Sequence, residues 1–152
     1  MTEIAEITEE KKKSDDCRNI IQQLPEWFGL PHANARYINE IVDKDVFGAI
    51  EEGKIVGLLA LSYYFQKSAE IWWMGIEPTY HGRGLGKALV GAAKNRAKEQ
   101  GCDHLLVTTL SPRREDKNYA KTRAFYEKVG FAPLIEFNEN DFNPMMCMMM
   151  TL

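Results

Sequence analysis

Three glycines stand at alternate positions in the stretch TYHGRGLGKALV, residues 79–90, directly before apolar residues at helical spacing. Glycine loses the most conformational freedom on folding and costs roughly 0.5–1 kcal/mol inside a helix relative to alanine. Three needs could justify Gly82, Gly84 and Gly86 there: a tight turn, close packing of a helix on its neighbour, or a ligand that touches the backbone. The last would exploit the start of the helix, where about four N–H groups lack partners and the aligned peptide dipoles leave roughly half a positive charge. A strand that leads through glycines into such a helix is a phosphate cradle. Two common cradles do not fit. A Walker A loop needs Gly-Lys-Ser/Thr, but Gly86-Lys87 is followed by Ala88, and five places before Gly86 stands His81. The dinucleotide fingerprint needs Gly-x-Gly-x-x-Gly in an early βαβ unit, whereas the spacing here is Gly82-x-Gly84-x-Gly86.

Other residues invite chemistry less strongly. Met145, Met146, Cys147, Met148, Met149 and Met150 resemble a soft-metal site for Cu(I), yet a strand packed on both faces explains them as adaptable core fillers. His32, His81 and His104 have no ligand spacing, so no metal is expected. Arg83, Lys87 and Arg123 could meet phosphates or be solvated charges.

The net charge of −3 gives no global basic field for nucleic acid or an anionic membrane. Three widely spaced cysteines, Cys17, Cys102 and Cys147, suggest reduced thiols in a cytoplasmic protein. The first sixteen residues are charged throughout, unlike a signal peptide. The longest apolar run, roughly residues 55–65, falls short of the ~20 needed to span a bilayer. A single soluble domain over residues 1–152 is expected.

The elements that must carry these residues follow from periodicity. TEIAEIT suggests a strand, and EEKKKSDD reads as a solvated charge run. A helix is expected from Ser14, with Ser14, Asp15 and Asp16 as cap and dipole complement, ending at Pro25. A second fits residues 32–42. DVFGAIEEGKIVGLLALSYYF reads as a hairpin turning at Gly53, and QKSA turns again into AEIWWMGI, whose continuous apolarity suggests a strand covered on both faces. A helix then runs from about Gly84 to Gln100, capped by Gly101. HLLVTTL is a strand, SPRREDK a loop and NYAKTRAFYEKVG a helix. FAPLIEF and PMMCMMMTL close the chain as strands. The result is an α/β domain with a central mixed sheet flanked by helices.

With these elements in place, His81-Gly82-Arg83-Gly84-Leu85-Gly86 resembles the pyrophosphate loop of the GNAT N-acetyltransferases, written Gln/Arg-x-x-Gly-x-Gly/Ala. Phe125-Tyr126-Glu127-Lys128-Val129-Gly130-Phe131 resembles their second signature, a helix ending in Tyr-x-Lys-x-Gly-Phe. The resemblance covers roughly residues 45–152. It implies the GNAT fold and an acetyl-CoA-dependent N-acetyltransferase that transfers acetyl directly to a primary amine of a small molecule or peptide. The competing class is a non-catalytic acyl-CoA-binding regulatory module on the same fold. The resemblance further implies that Met74, Gly75 and Ile76 offer backbone groups to the pantetheine arm. Residues 81–87 (His81, Gly82, Arg83, Gly84, Leu85, Gly86 and Lys87) would hold the pyrophosphate. Tyr126 would be the general acid for the departing thiolate, and Glu70, directly or through water, the base; Asp116 and Glu115 are weaker alternatives. His81 stands where the family has Gln or Arg. Tyr119, with Asn118 beside it, stands where an Asn commonly steadies the pantetheine.

The acceptor is the least legible part. Trp27, Phe28 and His32 fall where relatives in the family build the acceptor pocket. The acids Glu51, Glu52, Glu70, Glu115 and Asp116 favour a cationic amine over an acidic substrate. No nucleic-acid or membrane partner is expected, and a homodimer is compatible with the sequence.

Overall fold

The computed structural model describes residues 2–137 and 143–152. One seven-stranded sheet organises them: β1 (Thr2–Ile7), β2 (Asp45–Glu51), β3 (Lys54–Tyr64), β4 (Ser68–Ile76), β5 (His104–Leu110), β6 (Ala132–Phe137) and β7 (Met145–Thr151), in the order β1-β2-β3-β4-β5-β7-β6. All neighbouring pairs are antiparallel except β4 and β5, which run parallel. The helices are α1 (Glu10–Gln22), α2 (Pro31–Glu40), α3 (Leu85–Glu99) and α4 (Lys117–Lys128).

The helices divide between the two faces. Ile20, Ile21 and Leu24 from the α1 region pack with Val46, Leu58, Ala60 and Trp73 on one face. On the other, Leu85, Leu89, Ala93 and Ala97 of α3 and Tyr126 of α4 pack with Ile71, Leu105, Val107 and the methionines Met146, Met148 and Met150. These three methionines alternate along β7 toward the α3/α4 core, so the Met-rich end is largely core filling. AEIWWMGI is covered by the α3/α4 core on one face and, from Trp72 on, by the α1/α2 side on the other, while Glu70 stays half-exposed.

Two expectations need correction. The charge run is the first half of α1, where Lys11–Asp15 and Lys12–Asp16 pair at 2.9 Å across one turn. Ser14 lies inside that helix, and its hydroxyl donates to the Ile38 carbonyl at 2.7 Å instead of capping. The second helix stops at Glu40, and residues 41–43 continue as a 3₁₀ turn.

Two irregularities in β4 position the site. Pairing to β3 skips Trp72, since Ile71 opposes Leu61 and Trp73 opposes Ala60. This bulge shifts the alternation, so Ile71 faces the α3/α4 core while Trp73 faces α1 and α2. Pairing to β5 runs only from Ser68↔His104 to Ile71↔Val107. Beyond it β4 continues to Ile76 and β5 to Leu110 with no pairing between them among the described residues. The sheet opens into a gap.

Candidate active site

The backbone of β4 determines what the gap offers. Glu77 N–H donates to the Val56 carbonyl at 2.8 Å, which makes Glu77 and Val56 a hydrogen-bonded pair. Antiparallel ladders alternate, so Gly75 and Leu58 exchange hydrogen bonds while Met74 and Ile76 turn their N–H and C=O groups away from β3, into the gap. The ring of His81 lies 2.7 Å from the Ile76 carbonyl, which can only accept, so Nε2 carries the proton and donates. Met74 and Ile76 therefore direct backbone groups into the gap, although the Ile76 carbonyl is already engaged by His81. Gly75 does not; its polar groups serve β3. A Cβ there would lie 2.9 Å from both Ile20 and the Trp73 ring, so its glycine is a packing requirement.

The glycine loop divides in the same way. Gly82 and Gly84 have φ of +76° and +82°, with open space where a Cβ would project. Left-handed backbone is what a side chain would disfavour there. Gly84 is the N-cap of α3 and supplies no side-chain acceptor. The first intrahelical bond runs from Ala88 N–H to the Gly84 carbonyl at 3.1 Å. At the start of α3 the N–H groups of residues 84–87 meet no acceptor among the described residues, an arrangement that suits an anion. Gly86 has another task. Its missing Cβ makes room for the Phe125 ring, 2.8 Å from where the carbon would stand. Left-handed backbone thus accounts for Gly82 and Gly84, and helix packing for Gly86. Leu85 is buried and contributes only backbone, Lys87 is exposed, and the Arg83 guanidinium sits 5.0 Å over the Tyr80 ring.

Helix α4 closes one side. Asp116 caps it, accepting from Asn118 N–H at 2.9 Å and Tyr119 N–H at 3.0 Å, so neither backbone amide is free for a ligand and Asp116 is committed to capping. Arg123 donates to the Leu110 carbonyl at 2.8 Å, tying α4 to the end of β5. Tyr126 is buried between Phe125 and Phe131, and burial raises the pKa of its hydroxyl. It stays protonated, as an acid must. No partner for that hydroxyl occurs among the described residues.

Glu70 lies within β4, on the face opposite the α3/α4 core and just before the gap opens. Its carboxylate accepts from Tyr64 Oη at 2.8 Å and Thr108 Oγ1 at 3.2 Å. Neither partner was apparent in the sequence, although both follow from strand alternation once the pairing of β3, β4 and β5 is known. Burial and that bond raise the Tyr64 pKa to about 12. The other acids are elsewhere: Glu51 takes the Thr2 hydroxyl at the sheet edge, Glu52 stands in the hairpin turn and Glu115 is exposed on its loop. They do not form one acidic cleft.

Trp27, Phe28 and His32 do not line one pocket. Trp27 bridges elements: its indole N–H donates to Thr122 at 3.1 Å, its carbonyl accepts from Tyr119 Oη at 2.7 Å, and its ring meets His81 edge-on at 5.7 Å. Phe28 packs on Trp73 at 5.3 Å and Tyr37 at 6.1 Å, against the sheet. His32 is exposed on α2. A polar cavity of about 320 Å³ lies away from the gap, between α1 and the β2–β3 hairpin. Its two carboxylates are already engaged, Glu77 by Gln23 and Lys54 and Asp16 by Lys12.

The profile of the acetyltransferase (GNAT) family matches residues 14–131. An uncharacterised N-acetyltransferase of Chlorobaculum tepidum is 30% identical over 78 residues, 50% of each chain, so the match spans half the length of that relative. A GNAT-family protein of Desulfovibrio desulfuricans superposes over 99% of both chains with a TM-score of 0.85 at 16% identity. A GNAT acetyltransferase of Elizabethkingia anophelis, solved with acetyl-CoA bound, superposes over 99% of this chain and 98% of its own, with a TM-score of 0.72 at 16% identity. At these identities the structural likeness establishes the fold.

Proposed function

We propose that this chain, which belongs to the acetyltransferase (GNAT) family, moves an acetyl group from acetyl-CoA directly to a primary amine, with residues 1–152 acting as one catalytic unit. The observation that carries this reading is the gap itself. Strand N–H groups at Met74 and Ile76 that meet no acceptor among the described residues adjoin an uncapped helix start whose N–H groups suit a pyrophosphate.

In this reading acetyl-CoA is a substrate laid through the gap. Residues 82–87 hold its pyrophosphate, with Arg83 and Lys87 adding positive charge. Met74 and Ile76 fix the arm, and one of their N–H groups polarises the thioester carbonyl. The amine nitrogen attacks that carbon, the new N–C bond forms and the C–S bond breaks. Glu70 accepts the proton lost by the amine, directly or through water, and Tyr126 supplies one to the departing sulfur. Holding both reactants in one gap supplies much of the acceleration.

The acceptor enters from the face of Glu70. Strand pairing puts Leu106 and Thr108 of β5, Cys147 and Met149 of β7, and Ile135 and Phe137 of β6 on that face. Ile135 and Phe137 are 53% and 46% exposed. Among the described residues Glu70 is the carboxylate on this stretch of the face. An amine carried by an apolar or aromatic body matches this better than a polycation, which narrows the amine class suggested by the scattered acids.

The test is calorimetric titration with acetyl-CoA, followed by thiol release across polyamines, aminoglycosides, amino acids, arylalkylamines and peptide N-termini. Turnover highest on apolar amines supports the reading. Binding without turnover on any amine would favour a non-catalytic acyl-CoA sensor, and no binding would remove both.

A further inference from the structure

Four buried polar side-chain atoms lack a hydrogen-bond partner among the described residues: Asn34 Oδ1, Trp73 Nε1, His104 Nδ1 and Thr109 Oγ1. Their places differ. Asn34 and Trp73 belong to the α1/α2 side of the sheet. His104 opens β5, where pairing with β4 is intact. Thr109 lies two residues past the last β4–β5 pair, beside the gap. It opposes Met146, a member of the α3/α4 core, so its side chain shares that face. The residue is only 4% exposed.

A second hydroxyl, that of Tyr126 on α4, is on the same side of the sheet. Arg123 is bonded to the Leu110 carbonyl. Tyr126 is about one helical turn further on, roughly 4.5 Å along the axis. One residue back along β5, about 3.3 Å, is Thr109. Tyr126 belongs to the core that holds Val107 and Met146, the neighbours of Thr109 along and across the strands, so both hydroxyls are on the α3/α4 side of the sheet, and among the described residues neither has a hydrogen-bond partner. An unpaired buried hydroxyl costs stability, and a methyl group of the same shape would fit the core at least as well. The packing does not ask for threonine.

We propose that Thr109 is a ligand-binding residue whose hydroxyl hydrogen-bonds the thiol end of the pantetheine arm, beside Tyr126. This rests on reading the gap as the acetyl-CoA site. The ligand then completes the hydrogen bonding of a side chain that no described residue satisfies.

The test compares wild type, Thr109→Val and Thr109→Ser by thermal melting without ligand and by calorimetric titration with coenzyme A. Thr109→Val is expected to melt at the wild-type temperature or above, yet to bind coenzyme A about 3- to 10-fold more weakly, the range of one ordinary hydrogen bond. Thr109→Ser keeps the hydroxyl and should retain most of the affinity even where loss of the methyl lowers its melting temperature. Unchanged affinity in Thr109→Val would overturn the proposal and leave the hydroxyl to a buried water. Equal losses of affinity in both variants would overturn it too, because the methyl would then be the group that matters. Should Thr109→Val not fold, the serine variant against Thr109→Ala decides by the same ratio. Failure of the wild type to bind coenzyme A would instead remove the reading of the gap.

Discussion

At the scale of single residues, the proposed acid and base are distinguished by their surroundings. Tyr126 is enclosed by aromatic rings, and desolvation raises its pKa above the ordinary 10.0. Tyr126→Phe should lower turnover by about 10²–10⁴-fold with acetyl-CoA affinity nearly unchanged, since the proton is needed only as sulfur departs. Steady-state rates beside calorimetric affinities check this. The raised pKa also has a sign in stability. Below pH 10 the hydroxyl is protonated in both folded and unfolded chains, and its contribution is fully present. Above pH 10 the unfolded chain ionises first, so stability falls as pH rises, and urea melts of Tyr126→Phe should show a shallower alkaline decline. Glu70 is held by two hydroxyl donors at the open face. Glu70→Gln keeps the shape but cannot accept a proton, so its rate deficit should shrink as pH rises toward the pKa of the amine. A deficit independent of pH would make Glu70 a binding group.

At the scale of elements, most strands and helices were legible because hydrophobic period and glycine punctuation are local. The division of labour among the glycines was not. Gly86 answers to Phe125 and Gly75 to Ile20, partners far away in sequence whose proximity exists only after folding. The same holds for Trp27, whose aromatic character was visible but whose bridging of α4 and the glycine loop was not. The bulge at Trp72 left no sequence mark, because two adjacent tryptophans in an apolar strand look the same with or without it. Gly86→Val should therefore act first on packing, costing about 1–3 kcal/mol as overpacking does. Gly84→Val should act on the loop, forcing a side chain into left-handed backbone at the cradle. Urea melts and acetyl-CoA titration, done together, separate the two: a Gly86 variant of unaltered stability would contradict the packing account.

At the scale of the whole molecule, α3 is anchored to the first two strands by one cation. Arg96 reaches Glu6 at 2.6 Å, Asp45 at 3.3 Å and Glu99 at 3.6 Å, and lies over the Phe47 ring at 5.1 Å. Its hydrogen bond to Glu6, more than its Coulomb field, holds the Glu6 carboxyl below the usual 4.5. That depressed value stabilises the fold above pH 4.5, and the contribution is lost as pH falls through the folded-state value. Arg96→Met should cost on the order of 1 kcal/mol at neutral pH, since the carboxylates are well solvated. It should also flatten the acid limb of stability below the ordinary Glu value of 4.5, measured by urea melts as pH is lowered through it.

The opening between β4 and β5 has a consequence in exchange with solvent deuterium. Within four consecutive residues, the amides of Gly75 and Glu77 are bonded to β3 while those of Met74 and Ile76 point at no acceptor among the described residues. A strand in the middle of a sheet ordinarily protects every amide from exchange. Here protection should instead alternate residue by residue, as along an outer strand, although β4 has neighbours on both sides. Residue-resolved exchange by NMR should show this two-residue rhythm in the free protein. Saturating coenzyme A should slow Met74 and Ile76 and leave Gly75 and Glu77 as they were, which would make the empty half of the strand its own reporter of occupancy.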